Sequence, residues 1–274
     1  MTSPQQAHGD PATAGRVLDL VLRVSDHQVV GPEGMLLGNV DNLVLREHDG
    51  RLLVTGFISG PGGLGPRLPG SLGRWVQAVW RRLRSDADAQ PTMVPLSAVA
   101  RIGSAVEVTR HGQQVLAASM GLEHWLQTYV VSRIPGAKGG EDRLEGEPVQ
   151  DAAQHVWSPG PGSHLLSDLL GARVRSPQGE DLGAVLDVCA EAVAPTEAAV
   201  GVLRVRGLSY GPRATGSELG YTEDPRQGPL LLRVLFRRLH RAHRYVPLEA
   251  VDVDWQARAV TVAPTARPVH PHQR

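Results

Sequence analysis

The 274-residue chain predicts a mainly β protein with accessory helices: two small β-barrels arising from an internal duplication, each with an inserted amphipathic helix. Three observations carry the prediction. A strand, turn and strand over Val29 to Leu43 return over Val174 to Val188, with Pro32, Gly34, Leu37, Gly38 and Val40 at the spacing of Pro177, Gly179, Leu182, Gly183 and Val185. Val94-Pro95-Leu96 returns as Val246-Pro247-Leu248, each time ahead of a closing strand. Between these landmarks an arginine-rich apolar stretch repeats, Trp80-Arg81-Arg82-Leu83 against Phe236-Arg237-Arg238-Leu239. Self-similarity at this spacing marks a repeated structural unit.

In order, residues 1–16 form a polar tail expected to be disordered, followed by Val17 to Val24, an apolar run with strand character. In the glycine hairpin the proline presets one turn dihedral, and Gly34 or Gly179 two places later takes the positive φ the turn needs. Gly38 and Gly183 fall inside strand patterns, where glycine signals a bulge or a close backbone approach. Asp49-Gly50 is a hairpin turn, and Arg51 to Ile58 is the next strand. Gly60 to Gly73 is loop-rich. A helix is predicted over Trp75 to Leu83, where Trp75, Val76, Val79, Trp80 and Leu83 share one face opposite Arg74, Gln77, Arg81 and Arg84. Met93 to Val99 and Ala105 to Thr109 close the first unit, residues 17–110.

Residues 111–162 are expected to hold a connecting helix over Leu116 to Val131 and a flexible Gly-, Pro- and acid-rich linker, with Trp157 as a local anchor. The second unit, residues 163–264, repeats the first. Leu165 to Leu170 lead into the hairpin, Gly201 to Leu208 match the strand ending at Gly56 and Phe57, and the helical stretch runs from Leu230 to Arg244. Residues 265–274 are expected to be a disordered tail. Both units are expected to fold independently.

Composition narrows the function classes. Lys plus Arg equals Asp plus Glu at 28 each, so no global field attracts nucleic acid, an anionic membrane or an acidic ligand. Lys138 is the sole lysine, so arginine clusters reflect overall usage rather than chosen contacts. Cys189 is the sole cysteine, which excludes an intrachain disulfide and a cysteine zinc site and points to a small core residue. No signal-like apolar run opens the chain and no window approaches a membrane span, so the expected location is cytoplasmic, with the inner membrane face as a peripheral alternative.

Each repeat resembles a PRC-barrel, the small barrel shared by the cytoplasmic domain of the photosynthetic reaction-centre H subunit and the C-terminal part of RimM-type ribosome maturation factors. The resemblance rests on Gly34-x-x-Leu37-Gly38-x-Val40, Gly179-x-x-Leu182-Gly183-x-Val185 and the two Val-Pro-Leu segments, and it covers residues 17–110 and 163–264. It implies a binding or docking barrel without catalytic residues. The basic helical insertion in both copies departs from the minimal barrel.

The candidate chemistry is sparse. His240 and His243 lie about one helical turn apart, but Arg238, Arg241 and Arg244 around them oppose a cation, so no metal site is expected. Glu249, Asp252 and Asp254 alternate as a solvent face of a strand rather than an acid–base pair. Gly60 to Gly65 lacks the Lys-Ser/Thr of a phosphate loop, and no nucleophile elbow is present, so neither catalytic residues nor a cofactor nor a small-molecule substrate is expected. The expected role is a non-catalytic interaction scaffold or regulatory adaptor with a protein partner. Its candidate surface is Trp75, Trp80, Arg81 and Arg82 in one helix and Leu235, Phe236, Arg237, Arg238 and Arg241 in the other. Those apolar faces are expected to cover their own barrels; the alternatives are docking on anionic lipid as the partner of a transporter or membrane complex, or on a protein. RNA or ribosome binding is less favoured, because the tryptophans sit away from the arginines, where bases do not stack easily.

Overall fold

The computed structural model describes residues 17–67, 72–74, 78, 91–119, 155–193, 199–212, 243–266 and 269. The first half contains β1 (Val17–Asp19), α1 (Leu20–Arg23), β2 (Gln28–Val30), β3 (Leu36–Asn39), β4 (Asn42–His48) and β5 (Arg51–Ile58). After α2 (Pro61–Leu64) come β6 (Met93–Pro95), β7 (Val99–Ile102), β8 (Val106–Val108) and α3 (Arg110–Ser119). The second half contains β9 (Ser163–Leu165), α4 (Leu166–Leu169), β10 (Arg173–Arg175), β11 (Asp181–Val193), β12 (Val202–Gly211), β13 (Arg244–Pro247), β14 (Val251–Asp254) and β15 (Ala259–Val262). The protein is mainly β.

Where two separate barrels are expected, an 11-stranded sheet runs through both halves in the order β14-β15-β10-β11-β12-β5-β4-β9, with β1 on β11, β13 on β12 and β6 on β5. A second sheet has four strands, β3-β2-β8-β7. The difference between the halves has a local cause. β11 runs unbroken from Asp181 to Val193, so the β10-β15-β14 ladder stays joined to the large sheet, whereas the strand pattern breaks at Val40 and Asp41 between β3 and β4 and leaves the corresponding ladder separate.

Corresponding strands pair alike. β2 lies parallel to β8 with Val29 beside Val106, and β10 lies parallel to β15 with Val174 beside Val260. The halves meet where β5 pairs antiparallel with β12, Val54 opposite Leu203 and Leu53 opposite Arg204. Each half also lends an opening arm to the other: β1 pairs with β11, placing Asp19 beside Cys189, and β9 pairs with β4, placing Leu165 beside Val44. One hydrophobic cluster consequently spans both halves, from Leu20, Leu45 and Val54 to Leu203, Leu208 and Val246. Burying each such side chain contributes roughly 1.5–3 kcal/mol.

The turn chemistry is as local as the sequence suggests. Asp49 and Gly50 both take positive φ, 48° and 69°, as a two-residue hairpin turn requires. Gly34 and Gly179 sit at φ 79° and 87° in open turns. Gly38 and Gly183, at 113° and 111°, lie opposite Val29 and Val174 beside register shifts.

Several expectations are corrected. Val17 to Val24 is a three-residue strand followed by one helical turn, because backbone N–H groups of Leu20–Arg23 find a side-chain acceptor on the far half of the chain. Gly60 to Gly73 includes α2 and a 3-10 turn at Gly65–Arg67, and the strand expected over Met93 to Val99 is interrupted by a 3-10 turn at Leu96–Ala98, with the same turn at Leu248–Ala250 after the repeated Val-Pro step. The connecting helix starts at Arg110 rather than Leu116, since Thr109 Oγ1 accepts from Gly112 N at 3.3 Å in the manner of a helix cap and Val115 and Leu116 join the core. Its predicted continuation to Val131 lies outside the described residues. Within the expected C-terminal tail, Val269 exchanges two backbone hydrogen bonds with Tyr245.

Candidate interaction site

A cleft of about 520 Å³ opens where the end of β14 meets the arm of β9, lined by Glu47, Gly162, His164, Asp252, Val253, Asp254, Trp255 and Gln256. Strand alternation exposes Asp252 and Asp254 while turning Val251 and Val253 toward the core, as the alternating sequence implies. At the strand end the Asp254 carboxylate accepts from Ala257 N at 2.9 Å, which fixes the turn and throws Trp255 across onto β9. The indole stacks on the His164 ring with centroids 3.8 Å apart and planes within 6°. Indole Nε1 donates to Glu47 Oε1 at 2.6 Å, and the same oxygen lies 3.5 Å from His164 Nε2. β4 supplies Glu47, whose N–H donates to Gly162 O, so the arm and the carboxylate are positioned together. Among the described lining residues there are three carboxylates and no arginine or lysine. Such a wall, with an aromatic plane beside it, suits a cationic group.

A second polar centre lies inside the arm junctions. Asn42 is buried; its amide oxygen accepts from Ser167 N at 3.3 Å and Leu43 N at 3.0 Å, and its amide nitrogen donates to Ser167 Oγ and Gly63 O. It thereby holds α4 in place from the other half. At the matching position in the second half, Asp187 accepts from Val21 N at 2.9 Å, Leu22 N at 3.4 Å and Val188 N at 2.6 Å, and so holds α1. The residue keeps some exposed surface, but its carboxyl is enclosed. Burial pushes the Asp187 carboxyl up to about 7, with the charge of Asp19 adding to the rise, against the three N–H bonds that favour ionisation.

Of the sequence-predicted surface, Trp75, Trp80, Arg81, Arg82, Leu235, Phe236, Arg237, Arg238 and Arg241 lie outside the described residues, as does His240. Arg74 is exposed. Cys189 is buried in β11, with Sγ 3.3 Å from Asp19 Oδ1. Trp157 rests against the Val44, Ile58 and Leu165 cluster and donates to Ser163 Oγ at 3.1 Å, the anchoring role its sequence position suggests. Trp255, His164 and Glu47 were not foreseeable as a group. The available signal was a tryptophan directly after the Asp-Val-Asp alternation, which marks an aromatic at a strand end. Among the described residues no group of three or more His, Cys, Asp or Glu side chains is arranged to hold a metal ion, and no helix is long and apolar enough to cross a membrane.

Comparison with protein-family models gives no match to this chain, and comparison with curated proteins gives none either.

Proposed function

We propose that the chain is a non-catalytic docking scaffold: two PRC-barrel-like units of common origin, joined through exchanged arms, that present the Trp255 cleft to an arginine- or lysine-bearing segment of a partner protein. The observation that carries this reading is the cleft itself, in which both halves contribute to three carboxylates and an indole. The reciprocal pairings and the meeting of corresponding positions at Leu53 and Arg204 support common origin of the halves. A guanidinium entering the cleft can pair with Asp252 or Asp254 while lying against the aromatic stack.

The test is fluorescence anisotropy of a labelled arginine-rich peptide on the full chain and on Asp252→Asn with Asp254→Asn. Both aspartates are exposed and the amide oxygen of Asp254→Asn can still accept from Ala257 N, so the double variant is expected to melt like the wild type, within about 0.5 kcal/mol, while peptide affinity falls about tenfold and its salt dependence weakens. Equal affinity of both proteins would remove the cleft from consideration. A second reading, peripheral membrane association, is favoured by the arginines opposite apolar residues in the two predicted helices; it requires Phe236→Asp to abolish binding to anionic vesicles while leaving the fold intact.

A further inference from the structure

The Trp255 cleft borders a strand edge whose counterpart in the other half is covered by the chain itself. β7 and β14 are corresponding strands, each following a Val-Pro-Leu segment, with Val99 at the place of Val251 and Arg101 at that of Val253. β7 pairs with β8 on one side, and on the other its Val99 carbonyl accepts from Val200 N at 2.8 Å. Val200 is buried there. The segment that brings it is the connection between β11 and β12, residues 194–201. The corresponding connection in the first half, between β4 and β5, is only Asp49 and Gly50. It is too short to cover β14, which is paired among the described residues by β15 alone.

Register shows which backbone groups that open edge offers. Ala263 N donates to Ala250 O, and this bonded pair fixes the alternation along the ladder: Asp252 and Asp254 turn their backbone groups toward Thr261 and Ala259, whereas Val253 turns its N–H and C=O outward. The side chains of Asp252 and Asp254 are exposed on one face, one on each side of that outward pair.

We propose that the partner segment enters the Trp255 cleft as an extended strand on the β14 edge, with an uncharged residue opposite Val253 and basic residues opposite Asp252 and Asp254. The inference rests on the docking role of the cleft and adds the conformation and spacing of what docks. Strand addition supplies two backbone hydrogen bonds at Val253, and the alternation of the added strand puts both basic side chains on the face that Asp252 and Asp254 occupy. Each makes a cross-strand pair of opposite charge, and the one opposite Asp254 lies next to the Trp255 ring. A helical basic segment offers the charges without the bonds to Val253.

Two labelled peptides of equal composition test this on the full chain, one carrying Arg-Val-Arg and the other Val-Arg-Arg between the same neutral flanks. In fluorescence anisotropy the alternating peptide is expected to bind about threefold more tightly, because adjacent arginines fall on opposite faces of a strand and only one of them meets an aspartate. At about ten times its Kd the alternating peptide should also slow hydrogen exchange of the Val253 N–H about tenfold, with no comparable change at the N–H groups of Asp252 and Asp254, which already face β15. Equal affinity of the two peptides, or unchanged exchange at Val253, would overturn the strand geometry; if Asp252→Asn with Asp254→Asn still weakens binding in that case, the cleft itself stands. No binding of either peptide, or equal binding by the wild type and the double variant, would overturn both.

Discussion

At one junction Leu165 of β9 lies beside Val44 of β4 with Ile58 on the adjoining strand, and the three form a small apolar cluster closed by Met93 and Trp157. At the other, the same backbone register places Asp19 of β1 beside Cys189 of β11 with Ser209 on the adjoining strand. The ladders are interchangeable and the fillings are not. Apolar filling is stabilised by area removed from water, which needs no particular geometry, whereas a polar filling nets only about 1 kcal/mol per hydrogen bond and loses more wherever a charge is enclosed. Both arms are anchored by buried leucines, Leu18 and Leu20 in one and Leu165, Leu166 and Leu169 in the other, and the difference lies at this one position, apolar in one junction and polar in the other. Backbone pairing decides where an arm goes, and side-chain chemistry decides how firmly and under what conditions it stays.

The comparison can be broken most forcefully at the paired glycines. A Cβ on Gly183 would sit 2.0 Å from the backbone oxygen of Gly211, and at φ 111°, whereas a Cβ on Gly38 would meet only the Ser59 hydroxyl at 3.0 Å. Gly183→Val is therefore expected to cost about 4 kcal/mol or more, and Gly38→Val about 2 kcal/mol, mostly backbone strain. Denaturant unfolding that ranks the two variants the other way would show that the close approach at Gly183 relaxes readily.

The next contrast is between the arms themselves. Leu165→Ala removes a side chain that is only 3% exposed and should cost about 2–4 kcal/mol. Asp19→Ala removes a partly exposed carboxylate whose loss also relieves Asp187, so a change within about 1 kcal/mol is expected. Chemical denaturation of both variants at pH 7 measures the pair, and comparable losses would mean that the polar junction is held as firmly as the apolar one.

The smallest effect sharpens the contrast through pH. A carboxyl raised to about 7 gives its full stability contribution below the ordinary 3.8 and loses it as pH climbs to 7. At face value the rise is worth about 4 kcal/mol, but Asp187 keeps some exposed surface, and with that discount Asp187→Asn, which does not titrate, should gain on the order of 1–2 kcal/mol relative to the wild type between pH 4 and pH 8. A difference between the two proteins that stays flat over this range would show that the three N–H bonds outweigh burial.

What the sequence showed of this fold was its local chemistry. Asp49-Gly50, Gly34 and Gly179 act through dihedrals within a few residues of themselves, so their turns could be read directly, whereas the two Val-Pro-Leu segments read as strand and run into 3-10 turns at their leucines. The arms could not. Val21 and Asp187 stand 166 residues apart, and the one helical turn at Leu20–Arg23 forms where local pattern favours a strand because its N–H groups are satisfied from that distance. The cleft was hidden for the same reason, since Trp255 and Glu47 are 208 residues apart. Asp252 and Asp254 were legible as an exposed face because alternation along one strand is a local property.

The exchange of arms also sets an order of events during synthesis. The edge of β4 at Val44 to Arg46 receives its partner only when residues 163–165 have been made, and β1 has no partner until Cys189 to Glu191 appear. At roughly 5–20 residues per second, the β4 edge waits on the order of ten seconds as an open strand on the nascent chain. Open edges are templates for pairing with other chains. Long-range pairing of this kind also slows folding itself, because loop closure precedes any return from the contact. The mature protein conceals this exposure, but the chain in the course of translation cannot, and its early half is the stretch for which a holding chaperone would make the greatest difference.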